Sequence, residues 1–204
     1  MKRPPQSGDH GVDSIEALLK ASLEALCHQI LYLRRVYPKE SFTPKVSIFG
    51  IGSCHASRHP GVVQYIADTL EQVVKAILAG LSEEIHLVLL TDTTEIAETY
   101  ILNVKQLGEA KESFGALERC LRDVLLGVNI LDGSKTPKWG DDASFQIKLR
   151  TVDAAPAKSS SLQKDLGDAN WCSAQPSPQG RYRQIHMANF EQCVIDLGMI
   201  NHVA

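Results

Sequence analysis

One stretch, residues 13–38, constrains the fold more than any other: DSIEALLKASLEALCHQILYLRRVYP. Ile15, Leu18, Leu19, Leu23, Leu26, Ile30 and Leu33 recur at steps of three and four, which is the helical period. Cys27, Leu31 and the alanines at 17, 21 and 25 widen the apolar stripe well beyond one side. A surface helix carries a narrower stripe, so this pattern predicts a helix buried on most of its circumference. Asp13 and Glu16 have capping-box spacing at its start. Pro38 forbids continuation and biases Tyr37 toward extended backbone, which places the helix end near Val36. At ~1.5 Å per residue such a helix crosses a small domain, and the rest of the chain has to pack onto it.

The remaining sequence has the composition to do so. Of 204 residues, 44% are hydrophobic and 22% charged, as in an ordinary globular domain. A net charge of -3 argues against a free-standing basic nucleic-acid binder. No apolar run approaches the ~18–20 residues of a membrane span, so no membrane contact is expected. The start, MKRPPQSGDHG, lacks the hydrophobic core of a secretory signal, and residues 1–12 read as a disordered tail. Cysteines 27, 54, 120, 172 and 193 are odd in number, widely spaced and without a CxxC pair. That fits reduced thiols in a nuclear or cytosolic protein rather than a disulfide framework.

After a connector at 41–44, residues 45–49 (KVSIF) read as a short strand and GIGSCHASRHPG as a loop. Residues 62–81 hold the helical period through Val62, Ile66, Leu70, Val73, Val74, Ile77 and Leu78, with Pro60 at the favoured first position. The run 85–90 (IHLVLL) suits a central strand, and with 99–104 (TYILNV) it forms a hairpin. A third helix is expected at 113–126 and a brief strand at 128–131. In 144–152, Phe145, Ile147 and Leu149 alternate with Gln146, Lys148 and Arg150, a strand with one wet face. From Asp153 the composition turns to Ala, Ser, Pro and Gly, as in a linker. Strand-like apolar spacing returns at Ile185, Met187, Val194, Ile195, Leu197, Met199 and Ile200. A loose segment followed by returning strands predicts a strap that crosses the domain and docks its end on the sheet.

Few motifs point to chemistry. Gly50-Ile51-Gly52 resembles the start of a dinucleotide fingerprint, but His55 stands at the third glycine position and no downstream strand carries an acidic residue at a fitting distance. Cys54, His55 and His59 could ligate a metal or form a nucleophile and base, but Pro60-Gly61 denies them a helix and no second ligand pair exists. No GxSxG, HExxH or P-loop occurs. The expectation is no catalytic residue, no metal and no cofactor. Trp171 lies in the least apolar part of the chain. It serves either as an anchor for the strap or as a wall of a peptide site, where aromatic residues often dominate. Tyr65 reads as a packed aromatic on the second helix.

With these residues in place, the chain resembles a HORMA domain. ILYLRRVYP at 30–38, with Phe42 close behind, is similar to the family's first-helix signature, and HPGVVQYIADTL at 59–70 is similar to that of the accessory subunits of translesion DNA polymerase zeta. The resemblance covers roughly 13–204. It implies an α+β fold with three helices on a mostly antiparallel sheet, a core at 13–152 and a C-terminal safety belt at 153–204. It also implies a non-catalytic adaptor, in the nucleus and also in the cytoplasm, that holds a proline-containing peptide of the polymerase's catalytic subunit under the belt. Tyr65 and Trp171 match peptide-contacting positions, and Arg122 matches a contact of HORMA dimers, so a homodimer is implied. A second-partner surface, used by the C-terminal domain of the Rev1-type polymerase, falls on Gln184, Gly198 and Ile200, where the family carries leucine, glutamine and tyrosine. The competing readings are a spindle-checkpoint or meiotic HORMA adaptor and, in another class, a small enzyme using Cys54 and His59.

Overall fold

A computed structural model describes residues 14–46, 53–104, 114–131, 139–151, 181–190 and 193–202. The expected tail at 1–12, the Gly50–Gly52 turn, most of the strap and Trp171 lie outside the described residues.

The first helix, α1 (Ile15–Leu33), is buried as its sequence predicts, and it packs against elements on several sides. Leu18, Leu19, Leu23, Leu26, Ile30 and Leu31 sit in the core. Polar Ser22, His28 and Gln29 are buried with them. Both ends differ from expectation. The cap is Ser14, whose Oγ accepts the Ala17 N–H at 3.1 Å, while Asp13 lies outside the described residues. The helix stops at Leu33, not near Val36, because Arg35 adopts φ 55. Arg35 N–H then donates to Tyr32 O and Val36 N–H to Leu31 O, the paired bonds of a Schellman ending.

A single 3₁₀ turn (Lys39–Ser41) leads into β1 (Phe42–Val46), which pairs antiparallel with β2 (Ser53–Ser57). The sequence placed the strand three residues later and read SCHAS as loop. β2 forms despite its polar sequence because α1 supplies its partners. His55 N–H donates to Gln29 Oε1 at 2.9 Å, and Ser57 N–H to His28 Nδ1 at 3.4 Å. The His55 ring stacks on Tyr32 with centroids 3.5 Å apart.

The second helix, α2 (Pro60–Leu78), begins with proline at its first position and is capped by His59, whose Nδ1 accepts the Val62 N–H. It ends three residues before the expected 81, again in a Schellman pair, here with Gly80 at φ 68. Gly80 needs no Cβ relief there, since glycine adopts positive φ without penalty. The third helix, α3, covers Phe114–Val128. The brief strand expected at 128–131 is instead the helix end and a turn.

Five strands form the main sheet: β3 (Ser82–Leu90), β4 (Ile96–Asn103), β5 (Ser144–Thr151), β6 (Arg181–Phe190) and β7 (Cys193–Asn201). Their order is β5-β3-β4-β7-β6, with every described pairing antiparallel. The α+β architecture of three helices on an antiparallel sheet is therefore the observed one. Leu87, Leu89, Tyr100, Leu102, Ile147, Ile195, Leu197 and Met199 join the helices in one core. Val88, Ala97 and Thr99, which alternate to the opposite face, are buried as well. The topology carries one consequence for the strap. The chain leaves the sheet from β5 at one edge and re-enters with β6 and β7 at the other.

Candidate functional site

The open edge of β5 is the place where the fold offers backbone to a partner. β5 pairs with β3 in register from Ser144 to Thr151, and its other side has no strand beside it among the described residues. An unpaired edge is a template for an added strand. α2 reaches this edge through Tyr65, which is 42% exposed. Its hydroxyl accepts the Ile147 N–H at 3.3 Å. The Ile147 N–H therefore points away from β3, and by the alternation of an antiparallel ladder those of Phe145 and Leu149 do too. The Tyr65 ring meets Phe145 edge-on at 5.5 Å, and the Tyr37 ring meets it edge-on at 6.4 Å. Burial raises the Tyr37 phenol above its usual pKa, so it stays a neutral wall. The result is a small aromatic shelf beside N–H groups that face away from β3, suited to an extended peptide with an apolar or proline side chain.

The other residues singled out by sequence fall in two places. Gln184 lies opposite Gly198 in the β6–β7 ladder, and Ile200 lies two residues along the same strand. The three are thus brought together on one sheet face, with Gln184 Nε2 donating to Asp196 Oδ1 at 2.9 Å. Arg122 is on α3, half-exposed, its Nη2 3.0 Å from Glu118 Oε1 one turn away. α3 packs against β6 and β7 from the face that carries Ile195 and Leu197, opposite Gly198. The two surfaces are therefore separate. Trp171 lies outside the described residues.

Cys54, His55 and His59 are not assembled for chemistry. Cys54 is buried in the core, and its strand neighbour His55 points to the other face and onto Tyr32. His59 Nδ1 is engaged by the α2 cap. Among the described residues there is no group of three His, Cys, Asp or Glu side chains able to hold a metal, and no helix long and apolar enough to cross a membrane.

One cluster escaped the sequence reading. Arg34 and Glu98 form a buried two-point ion pair, with Arg34 Nε donating to Glu98 Oε2 at 2.9 Å. Arg34 is 4% exposed and Glu98 is fully buried. The Tyr100 hydroxyl donates to the same carboxylate at 2.9 Å, and burial drives that phenol strongly upward in pKa. Trp139 Nε1 closes the group by donating to Arg34 O at 2.6 Å. The available signal was the period-two placement of Glu98 with Tyr100 and Leu102, which puts a carboxylate on the core face of β4.

Comparison with known proteins gives this geometry a setting. The family model described as "HORMA domain" matches residues 16–122, more than half of the 204 residues. "Mitotic spindle assembly checkpoint protein MAD2B" of Danio rerio is 26% identical over 174 residues, spanning 81% of this chain and 75% of that protein. The protein of the same name from Gallus gallus is 28% identical over 165 residues, spanning 77% and 74%. Among solved structures, a chain of the "Mitotic Checkpoint Complex" superposes with a TM-score of 0.68 at 17% identity, covering 92% of this chain and 98% of that one. C. elegans HTP-2 bound to a HIM-3 closure motif superposes with a TM-score of 0.63 at 13% identity, covering 91% and 88%. At such identities the structural likeness is one of fold.

Proposed function

The chain belongs to the HORMA domain family, and from that premise we propose that it acts in the nucleus as a non-catalytic adaptor, the accessory subunit of a translesion DNA polymerase zeta. It captures a proline-containing peptide of the catalytic subunit along β5 and holds it under the strap. In this reading 13–152 is the core, 153–204 is the strap and 1–12 is a tail. Tyr65 and Trp171 contact the peptide. Arg122 serves a homodimer contact, and the face of Gln184, Gly198 and Ile200 receives a second partner, the C-terminal domain of a Rev1-type polymerase. The observation that supports the capture mechanism most directly is the Tyr65 hydroxyl on the outward Ile147 N–H at the open sheet edge. The entry of β6 and β7 at the opposite edge supports it further, because 152–180 then has to join the two. Added strand pairing supplies main-chain hydrogen bonds, while release requires the strap to open, so affinity is expressed mainly in slow dissociation.

Calorimetric titration of the full chain tests this with three peptides. They are a proline-containing segment of the polymerase zeta catalytic subunit, its scrambled form, and a meiotic HORMA closure motif. Binding of the first alone supports the assignment. Binding of the closure motif alone moves the chain to the meiotic class, and binding of none removes peptide capture.

A further inference from the structure

Where the β6–β7 hairpin meets the ends of α1 and α3, it leaves a cavity of about 340 Å³. Arg34, at the end of α1, and Ile130 and Leu131, in the turn after α3, line it on one side; Arg183, Ile185, Met199 and Asn201 line it from the hairpin. The volume falls in the range of small-molecule sites, roughly 300–1,000 Å³. Its walls are of two kinds. Ile130, Ile185 and Met199 are apolar. Arg34 and Arg183 bring two guanidinium groups, and among the described residues no carboxylate lines the cavity. Glu98, behind the wall, matches the charge of Arg34. Arg183 is exposed, and its cross-strand neighbour is Met199. The described lining therefore carries one net positive charge beside an apolar bed. A monoanion with a compact hydrocarbon body satisfies both, and the planar fork of a guanidinium matches a carboxylate.

We propose that this cavity binds a small aliphatic or aromatic monocarboxylate, its body on Ile130, Ile185 and Met199 and its carboxylate on Arg183, and that the bound molecule fastens the hairpin to the core. The second half follows from the origin of the walls. The cavity exists only while β6 and β7 are docked, so a ligand that fills it favours the docked state by mass action. The coupling does not depend on which partner the strap holds. It makes opening of the C-terminal strands sensitive to a metabolite-sized acid.

The Trp139 indole N–H, bonded to Arg34 O, reports on the cavity wall in ¹H–¹⁵N spectra. Hexanoate, hexanol and hexylamine are titrated separately into the full chain. Hexanoate shifts the Trp139 indole resonance saturably and slows amide exchange in β7, while the two controls bind at least about tenfold more weakly. Arg183→Gln, at an exposed position, weakens hexanoate by about tenfold without changing the unliganded thermal midpoint. Ile130→Glu, at a position 66% exposed, sets a carboxylate at the mouth and abolishes binding. The proposal is overturned by no saturable shift up to about 10 mM, far weaker than a typical metabolite site. Equal response to hexanol, or unchanged affinity in Arg183→Gln, overturns it too.

Discussion

Arg34, the residue that caps the end of α1, and Glu98, in the middle of β4, form an ion pair from which solvent is excluded. The pair fixes where the helix end sits on the sheet, and Trp139 pins the same residue through its carbonyl. Burial makes the pair asymmetric in its consequences. Removing one partner leaves an uncompensated charge, whereas replacing the whole group by apolar side chains leaves none.

Glu98→Gln is therefore expected to cost about 3–5 kcal/mol in urea denaturation. The combined change Arg34→Met, Glu98→Leu and Tyr100→Phe, which also removes the hydroxyl that Glu98 accepts from, should recover most of that loss. A cost below about 1 kcal/mol for Glu98→Gln would mean that the pair is reached by water.

Acid should loosen the contact between α1 and β2. Burial first, and the Lys45 charge second, lower the pKa of His28 to about 4 from 6.5. Its Nδ1 also accepts the Ser57 N–H, a bond that protonation forbids. Between these two values the unfolded chain binds a proton that the folded chain refuses. Stability is thus full above pH 6.5, falls as pH drops toward 4 and is flat in this respect below. The expected loss between pH 7 and pH 5 is about 2 kcal/mol. His28→Asn keeps an acceptor and does not titrate, so its urea midpoint should move clearly less over the same interval. Equal slopes in the two proteins would assign the acid sensitivity elsewhere.

What the sequence disclosed depended on whether neighbours or periodicity decided the structure. The period of three and four in α1 and α2, and the alternation along β5, are local, and those elements were legible to within a few residues. β2 was not, because SCHAS has no apolar alternation and is held by His28, Gln29 and Tyr32 from a distant helix. The end of α1 was misplaced because an arginine, not a glycine, takes the positive-φ position. Tyr65 was expected as a packed aromatic but is 42% exposed, and its place at the sheet edge follows from topology: β5 is outermost only because β6 and β7 add beyond β4. Arg34 and Glu98 are 64 positions apart, and nothing local to either names the other.

The proposed dimer contact has a direct check. Arg122 sits on α3 beside Glu118, with Leu126 exposed one turn further along the same helix. If this face joins two copies, Arg122→Ala should shift a dimeric preparation toward monomer in sedimentation velocity, with an unchanged thermal midpoint. An unaltered profile would remove Arg122 from the interface.

The capture mechanism makes the sharpest demand on Tyr65 and Trp171. In the free chain the Tyr65 hydroxyl holds the Ile147 N–H. Tyr65→Phe should therefore speed exchange of the Ile147 amide without peptide, and a strand added along β5 should restore protection in both proteins. Tyr65→Ala removes the ring that faces Phe145 and should weaken peptide binding by about 2 kcal/mol, the scale of an aromatic hot spot. Trp171→Ala should do the same, with most of the loss in the dissociation rate, because its proposed role is to keep the strap over the peptide. Residues 155–180 should gain exchange protection when peptide is added, since their composition buries too little apolar surface to offset an ordering entropy of about 1–2 kcal/mol per residue without a ligand beneath them. Surface-plasmon dissociation rates measure the two substitutions, and hydrogen exchange measures the strap and the edge. Equal protection of 155–180 with and without peptide, together with an unchanged off-rate in Trp171→Ala, would leave β5 as an edge that binds peptide unassisted and the segment as a passive connection between the two sides of the sheet.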